Sequence, residues 1–221
     1  MIVVLDLYPG ELNINGDVGN VMALTKRAQW RGMPLSVVSH EPGDALPDVV
    51  HLVHIGSGPL SEQPVVRDDL AINAMTLRSW AEAGVPFLAV AGGWQLLGVT
   101  TTDRSGVVTP GVGVFPTTAV LTDERVVREV WTPEFAGYEN HGADTSGMPS
   151  GPNKFVFEHG ASVATTLHGP FLPMNPSWAD RLLERAAVRA GVPLGEADAR
   201  TIQADEYAAK SREAIRKRLR S

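Results

Sequence analysis

The sequence predicts an α/β fold: a mostly parallel central sheet with helices on both faces, three layers in all, plus short antiparallel strands. Two observations carry this. Short runs that are apolar throughout alternate with segments of helical periodicity, as in sheets buried on both faces and joined by crossover helices. Two of those runs end in glycine-bearing turns, after Ile55 and after Val90, where open α/β sheets hold their ligands.

Taken in order, Ile2–Leu7 is a β-branched first strand. Residues 18–31 have helical spacing, with Val18, Val21, Met22, Leu24 and Ala28 on one side, and Gly32 stops them. Residues 35–39 and 49–55 form the next two strands, the latter running into Gly56-Ser57-Gly58-Pro59. Residues 66–83 read as a helix with Leu70, Ala74, Leu77 and Ala81 on one face, closed by Gly84. Residues 85–90 are a fourth, fully apolar strand. The middle changes character: residues 111–121, 126–131, 135–138 and 154–157 are short strands between Gly, Pro, Asp and Thr turns. Residues 163–167 form a further strand ending at His168. Residues 178–190 are an amphipathic helix with Ser177 expected as its N-cap, and residues 198–220 a last, polar helix. The expected division is a domain over residues 1–195 and a C-terminal helical tail over 196–221.

Composition narrows the function classes. With 43% hydrophobic and 20% charged residues the chain is of ordinary globular type. Its apolar runs are strand-sized, too short to span a bilayer, and the N-terminus has no signal-peptide pattern, so a cytoplasmic protein is expected. A net charge of −6 argues against a nucleic-acid partner. The basic cluster of Arg212, Arg216, Lys217, Arg218 and Arg220 fits the solvated, dipole-favoured end of the last helix. There is no cysteine, which excludes disulfides, thiolate zinc sites and a cysteine nucleophile. His51 and His54 are three apart on a strand and point to opposite faces, so no metal site is expected.

The stretch Val85-Pro86-Phe87-Leu88-Ala89-Val90-Ala91-Gly92-Gly93-Trp94-Gln95 has the form of a nucleophile elbow. A buried strand turns sharply into a helix whose first N–H groups and positive dipole end suit an oxyanion. By spacing alone a tight strand-to-helix turn is the commoner meaning. The stretch resembles the Cys-Gly-Gly-Tyr-Gln-x-Leu-Gly segment of class I glutamine amidotransferases of the cobyric acid synthase group. Within that group it is similar to the small glutaminase subunits of lipid II isoglutaminyl synthases. Gly16-Asp17-Val18-Gly19-Asn20, Gly56-Ser57-Gly58, Glu62-Gln63, Gly111-Val112-Gly113, Tyr138-Glu139-Asn140-His141-Gly142 and residues 167–173 (Leu-His-Gly-Pro-Phe-Leu-Pro) match in the same order.

The resemblance implies a flavodoxin-like fold and glutamine as substrate, with no cofactor. It places Ala91 at the nucleophile position and His168 as the base, although a lone histidine at a strand end is more often structural. Backbone N–H groups of Gly56, Gly58 and Gly92 would hold the oxyanion, with Ser57 and Pro59 departing from the commoner glycine and serine. Arg125 would pair with the glutamine α-carboxylate, and Gln95 and Trp94 would line the pocket. Pro170 stands where the classical branches carry an acid, which implies a His dyad rather than a triad. Residues 138–142 would be a supporting loop, with His141 not the base. The implied partner is a Mur-ligase-like (MurT-type) protein, holding the ATP and metal, that amidates the D-glutamate of lipid II.

A methyl group cannot attack an amide, so Ala91 excludes hydrolysis by the family mechanism. Two origins are open: an engineered Cys→Ala change, or a natural loss in a protein kept for binding or regulation. A cobalamin-pathway amidotransferase domain is the third reading, disfavoured because no fused ATP-binding domain fits in 221 residues.

Overall fold

The computed structural model describes residues 1–147 and 154–220. Its main sheet has six strands: β1 (Ile2–Leu7), β2 (Leu35–His40), β3 (Leu52–Ile55), β4 (Phe87–Val90), β9 (Val156–His159) and β10 (Ser162–Thr165). They lie in the order β2-β1-β3-β4-β10-β9, all parallel except the edge strand β9. The parallel strands are joined by helices α1 (Val18–Trp30) and α2 (Gln63–Glu82), as the alternation predicts.

Burial confirms that both faces are covered. Along β4, Leu88 and Val90 join one core with Leu24 and Ala28 of α1. Phe87 and Ala89 join the other with Val66, Leu70 and Leu77 of α2. Every residue of β3 and β4 is buried, the reason those strands read as continuous apolar runs. Past the short helix α4 (Phe171–Met174), helix α5 (Pro176–Ala190) adds Ala179, Leu182, Leu183 and Ala186 to the first core.

The second sheet is more extensive than the expected short strands. β5 (Thr100–Thr102), β6 (Val108–Pro110), β7 (Thr118–Trp131), β8 (Ala136–Ser146) and β11 (Leu167–His168) lie in the order β11-β8-β7-β5-β6. Residues 122–125, read as a turn, belong instead to the 14-residue strand β7, whose register with β8 shifts between Leu121 and Val126. The polar residues that suggested a turn sit in this exposed irregularity. Residues 138–142, read as a loop, are the middle of β8.

A further correction concerns a helix end. α5 is capped at Asn175, not Ser177; Pro176 takes the first turn, where its missing N–H costs nothing. The Asn175 side chain instead bonds both the N–H and the C=O of Ala136, each at 2.8 Å. The tail helix α6 (Ala199–Arg218) starts at Asp198, whose carboxylate accepts from the N–H groups of Arg200 and Thr201. It docks on the domain: buried Arg27 of α1 bonds Asp180 of α5 and Asp205 of α6, and Arg218 pairs with Glu129 of β7. No helix among the described residues is long and apolar enough to cross a membrane.

Buried Glu139 ties the second sheet together. It accepts from Arg128 of β7, from His141 Nε2 at 3.0 Å and from the Thr166 hydroxyl at 3.1 Å. Burial works against its charge, but the hydrogen bonds from His141 and Arg128 outweigh it and hold the carboxyl below its usual range. A depressed folded value means this stabilisation is complete above the ordinary value of 4.5 and is lost as pH falls through the lowered one. Accordingly, Glu139→Gln is expected to lower the urea midpoint at neutral pH, with the gap from the parent closing as the buffer is taken below about pH 4.

The main sheet also sets a steric requirement. A Cβ on Gly93 would stand 2.5 Å from the Gly56 carbonyl oxygen and 2.8 Å from that of Ile55. Both are backbone atoms of the β3 exit and cannot swing aside. Gly93→Ala is therefore expected to cost on the order of 3 kcal/mol, read by urea denaturation.

Candidate active site

β4 ends at Val90; the next residue, Ala91, adopts φ 42°, ψ −100°, and the chain then enters α3 (Gly92–Leu97). This is a conformation non-glycine residues rarely hold, and such strain concentrates at functional corners. Backbone bonds fix it from both sides: the Ala91 N–H donates to Thr165 O at 2.8 Å, and its C=O accepts from the Gln95 N–H at 3.1 Å. Ala91 is nearly buried but opens onto a cavity of ≈ 310 Å³. Ser57, Gly58, Gly92, Gln95, Arg125 and His141 share its walls.

Gly56 takes its place beneath the cavity. A side chain there would meet the Leu12 carbonyl oxygen at 2.2 Å, so only glycine lets the β3 exit pass so close to the segment after β1. The following Ser57 hydroxyl accepts the Gly92 N–H at 3.2 Å. One of the N–H groups expected to serve an oxyanion is thus held by a protein hydroxyl.

His168 lies in β11, paired with Tyr138 of β8, and is fully buried. It is not among the residues that line the cavity, but the strand before it borders the elbow. β10 runs parallel to β4 with Thr165 opposite Val90, and the chain reaches His168 three residues later. Its Nδ1 faces Asp17 Oδ1 at 3.1 Å, while Nε2 is buried with no hydrogen-bond partner. A carboxylate only accepts, so Nδ1 carries a hydrogen.

Asp17 is the residue that sequence reasoning missed. It lies within the motif of residues 16–20, where the sequence alone assigns it no role. Its other oxygen, Oδ2, accepts the Ser57 N–H at 2.8 Å, so one buried carboxylate orients both the histidine and the glycine-rich loop. The acid beside His168 therefore comes from the start of α1, not from the position occupied by Pro170. Asn20, from the same motif, accepts the Leu172 N–H at 2.8 Å and pins the segment that follows the histidine.

The remaining expected residues divide. Arg125 reaches the cavity from the β7 irregularity, with Nε donating to Asn140 Oδ1 at 2.7 Å. Gln95 lines the cavity. Trp94 does not: it is buried in the second core, stacked on Phe157 at 6.0 Å and bonded to the Thr117 hydroxyl. His141 is a wall residue whose Nε2 and Nδ1 face Glu139 and the Ala143 carbonyl, each at 3.0 Å. Both its nitrogens are engaged by acceptors, unlike those of His168.

Known proteins share the sequence pattern and the fold of this chain. The GatD subunit of lipid II isoglutaminyl synthase (glutamine-hydrolyzing) from Staphylococcus aureus is 30% identical over 203 residues, spanning 83% of this chain and 84% of that one. The subunit of the same name from Streptococcus pneumoniae is 26% identical over 205 residues, 81% of this chain and 78% of that one. The crystal structure of a glutamine amidotransferase superposes with a TM-score of 0.52 at 13% identity, covering 87% of this chain and all of that one, a likeness of fold. Residues 11–176 match the family described as the CobB/CobQ-like glutamine amidotransferase domain, and with three quarters of its length so matched this chain belongs to that family.

Proposed function

We propose that the chain is the glutamine-binding subunit of a two-protein amidotransferase, its cavity taking glutamine with the carboxamide at the elbow and the α-carboxylate on Arg125. The observation that carries this reading is the unpartnered Nε2 of buried His168, whose other ring nitrogen is held by Asp17. A buried ring nitrogen without a partner costs stability, a cost that catalytic groups commonly carry.

With cysteine at position 91 the chemistry would follow directly. The thiol gives its proton to His168 Nε2 and the sulfur attacks the carboxamide carbon. The oxyanion takes backbone N–H groups of the 56–58 loop and Gly92, displacing the Ser57 hydroxyl. The proton passes to the departing nitrogen, ammonia leaves, and water hydrolyses the thioester with His168 as base again. Ammonia would pass to a Mur-ligase-like partner that spends ATP to amidate the D-glutamate of lipid II; the names of the relatives, subunits of glutamine-hydrolyzing lipid II isoglutaminyl synthases, support glutamine and lipid II as the two ends of this reading. With alanine there, the chain holds glutamine without cleaving it, which favours a binding or regulatory role for this form.

Three outcomes test the reading. The chain as it stands is expected to bind L-glutamine and release no ammonia. Ala91→Cys is expected to release ammonia in the presence of the partner ligase; silence from a folded, partnered protein would count against a glutaminase site. In that background Asp17→Asn is expected to lower kcat by about 10²-fold or more, since the wrong histidine tautomer is then favoured.

A further inference from the structure

We infer that the side-chain amide of Asn15 is a second recognition group for the α-carboxylate of the bound amino acid, working beside Arg125. The inference rests on the reading of the cavity as a glutamine site and names a contact within it.

The argument begins with hydrogen-bond direction. A guanidinium only donates, so the atom of Asn140 that Arg125 Nε meets at 2.7 Å must be its carbonyl oxygen. That leaves the Asn140 amide nitrogen facing Asn15 at 2.8 Å, where it needs an acceptor, and so Asn15 presents its own oxygen. The orientation of both amides thus follows from the arginine, and the end of the relay is Asn15 Nδ2. That nitrogen is buried, lacks a hydrogen-bond partner, and belongs to a residue lining the same cavity as Ala91 and Arg125.

Backbone geometry fixes the group in place. Asn15 stands at φ 63°, and Gly16 follows at φ 78°. On one side the Ile14 N–H donates to Ser57 O at 2.8 Å, and on the other the Val18 N–H donates to Asn13 Oδ1 at 2.8 Å. Among the described residues only Tyr8, Asn15 and Ala91 are non-glycines at positive φ, and two of these three line the cavity. A buried donor without a protein acceptor is satisfied by what enters the cavity. Because the relay begins on the cation that takes the carboxylate, the acceptor it addresses is that carboxylate.

Ligand-observed NMR titration of the full chain, with Ala91 in place, tests this with two probes: L-glutamine and its α-amide, which lacks the α-carboxylate. Asn15→Asp keeps the oxygen that anchors Asn140 but replaces the donor with an acceptor. It is expected to weaken L-glutamine about tenfold or more while leaving the α-amide within about twofold of the parent. Asn15→Gly, which suits the positive φ and removes the donor, is expected to weaken L-glutamine selectively as well. Unchanged L-glutamine affinity in both variants overturns the inference and leaves the glutamine site standing. Equal losses for the two probes also overturn it, marking Asn15 as structural. A parent chain that binds neither probe sinks the glutamine reading, and this inference with it.

Discussion

The site depends on one buried carboxylate. Asp17 spans the His168 ring and the Ser57 N–H with its two oxygens, and both it and the histidine are sealed from solvent. Burying a carboxylate is costly unless its oxygens are satisfied, and here each has a donor. The three partners come from the start of α1, the exit of β3 and the end of β11, regions 40 and 151 residues apart from Asp17 in sequence. The bond network therefore joins the two sheets at the point where the cavity opens. The close passage of Gly56 over Leu12 belongs to the same constraint, because a side chain there would also press on the Asp17 Cβ at 3.1 Å.

Each sheet supplies a different part of the cavity. The parallel sheet delivers backbone: the elbow at Ala91 and the 56–58 loop, both at strand ends held by apolar layers on either side. The second sheet delivers side chains, with Arg125 from the β7 irregularity and Asn140 and His141 from β8. Rigid packing suits the first task, since an oxyanion site requires fixed N–H directions. An irregular strand suits the second, because a bulge redirects a side chain without breaking the ladder.

This division explains what could be read from the sequence. The strands of the main sheet were legible because burial on both faces leaves continuous apolar runs with clear glycine stops. The second sheet was harder. β8 carries Gly137, Gly142, Asn140 and His141, which lower its resemblance to a strand because several serve the cavity. His168 and Arg125 were recognisable only through ordered motifs, as neither spacing nor composition distinguishes them from structural residues. Asp17 and Asn15 went unassigned for a different reason. Their meaning lies in partners more than a hundred residues away, and the Asn15-Gly16 pair by itself announces only a turn. Trp94 was misplaced because successive helix positions face different ways, and the neighbour of a wall residue can belong wholly to the core.

The backbone at Ala91 carries one more consequence. The bonds that hold its unfavourable φ come from Thr165 and Gln95 and use none of the side chain's own atoms. The bend is consequently indifferent to whether a thiol is attached. Glycine would relax the torsion, but alanine keeps a Cβ and hence the direction in which any longer group must grow. Reactivity and architecture are separable at this corner: the lever stays cocked, and the tip alone decides whether anything is struck.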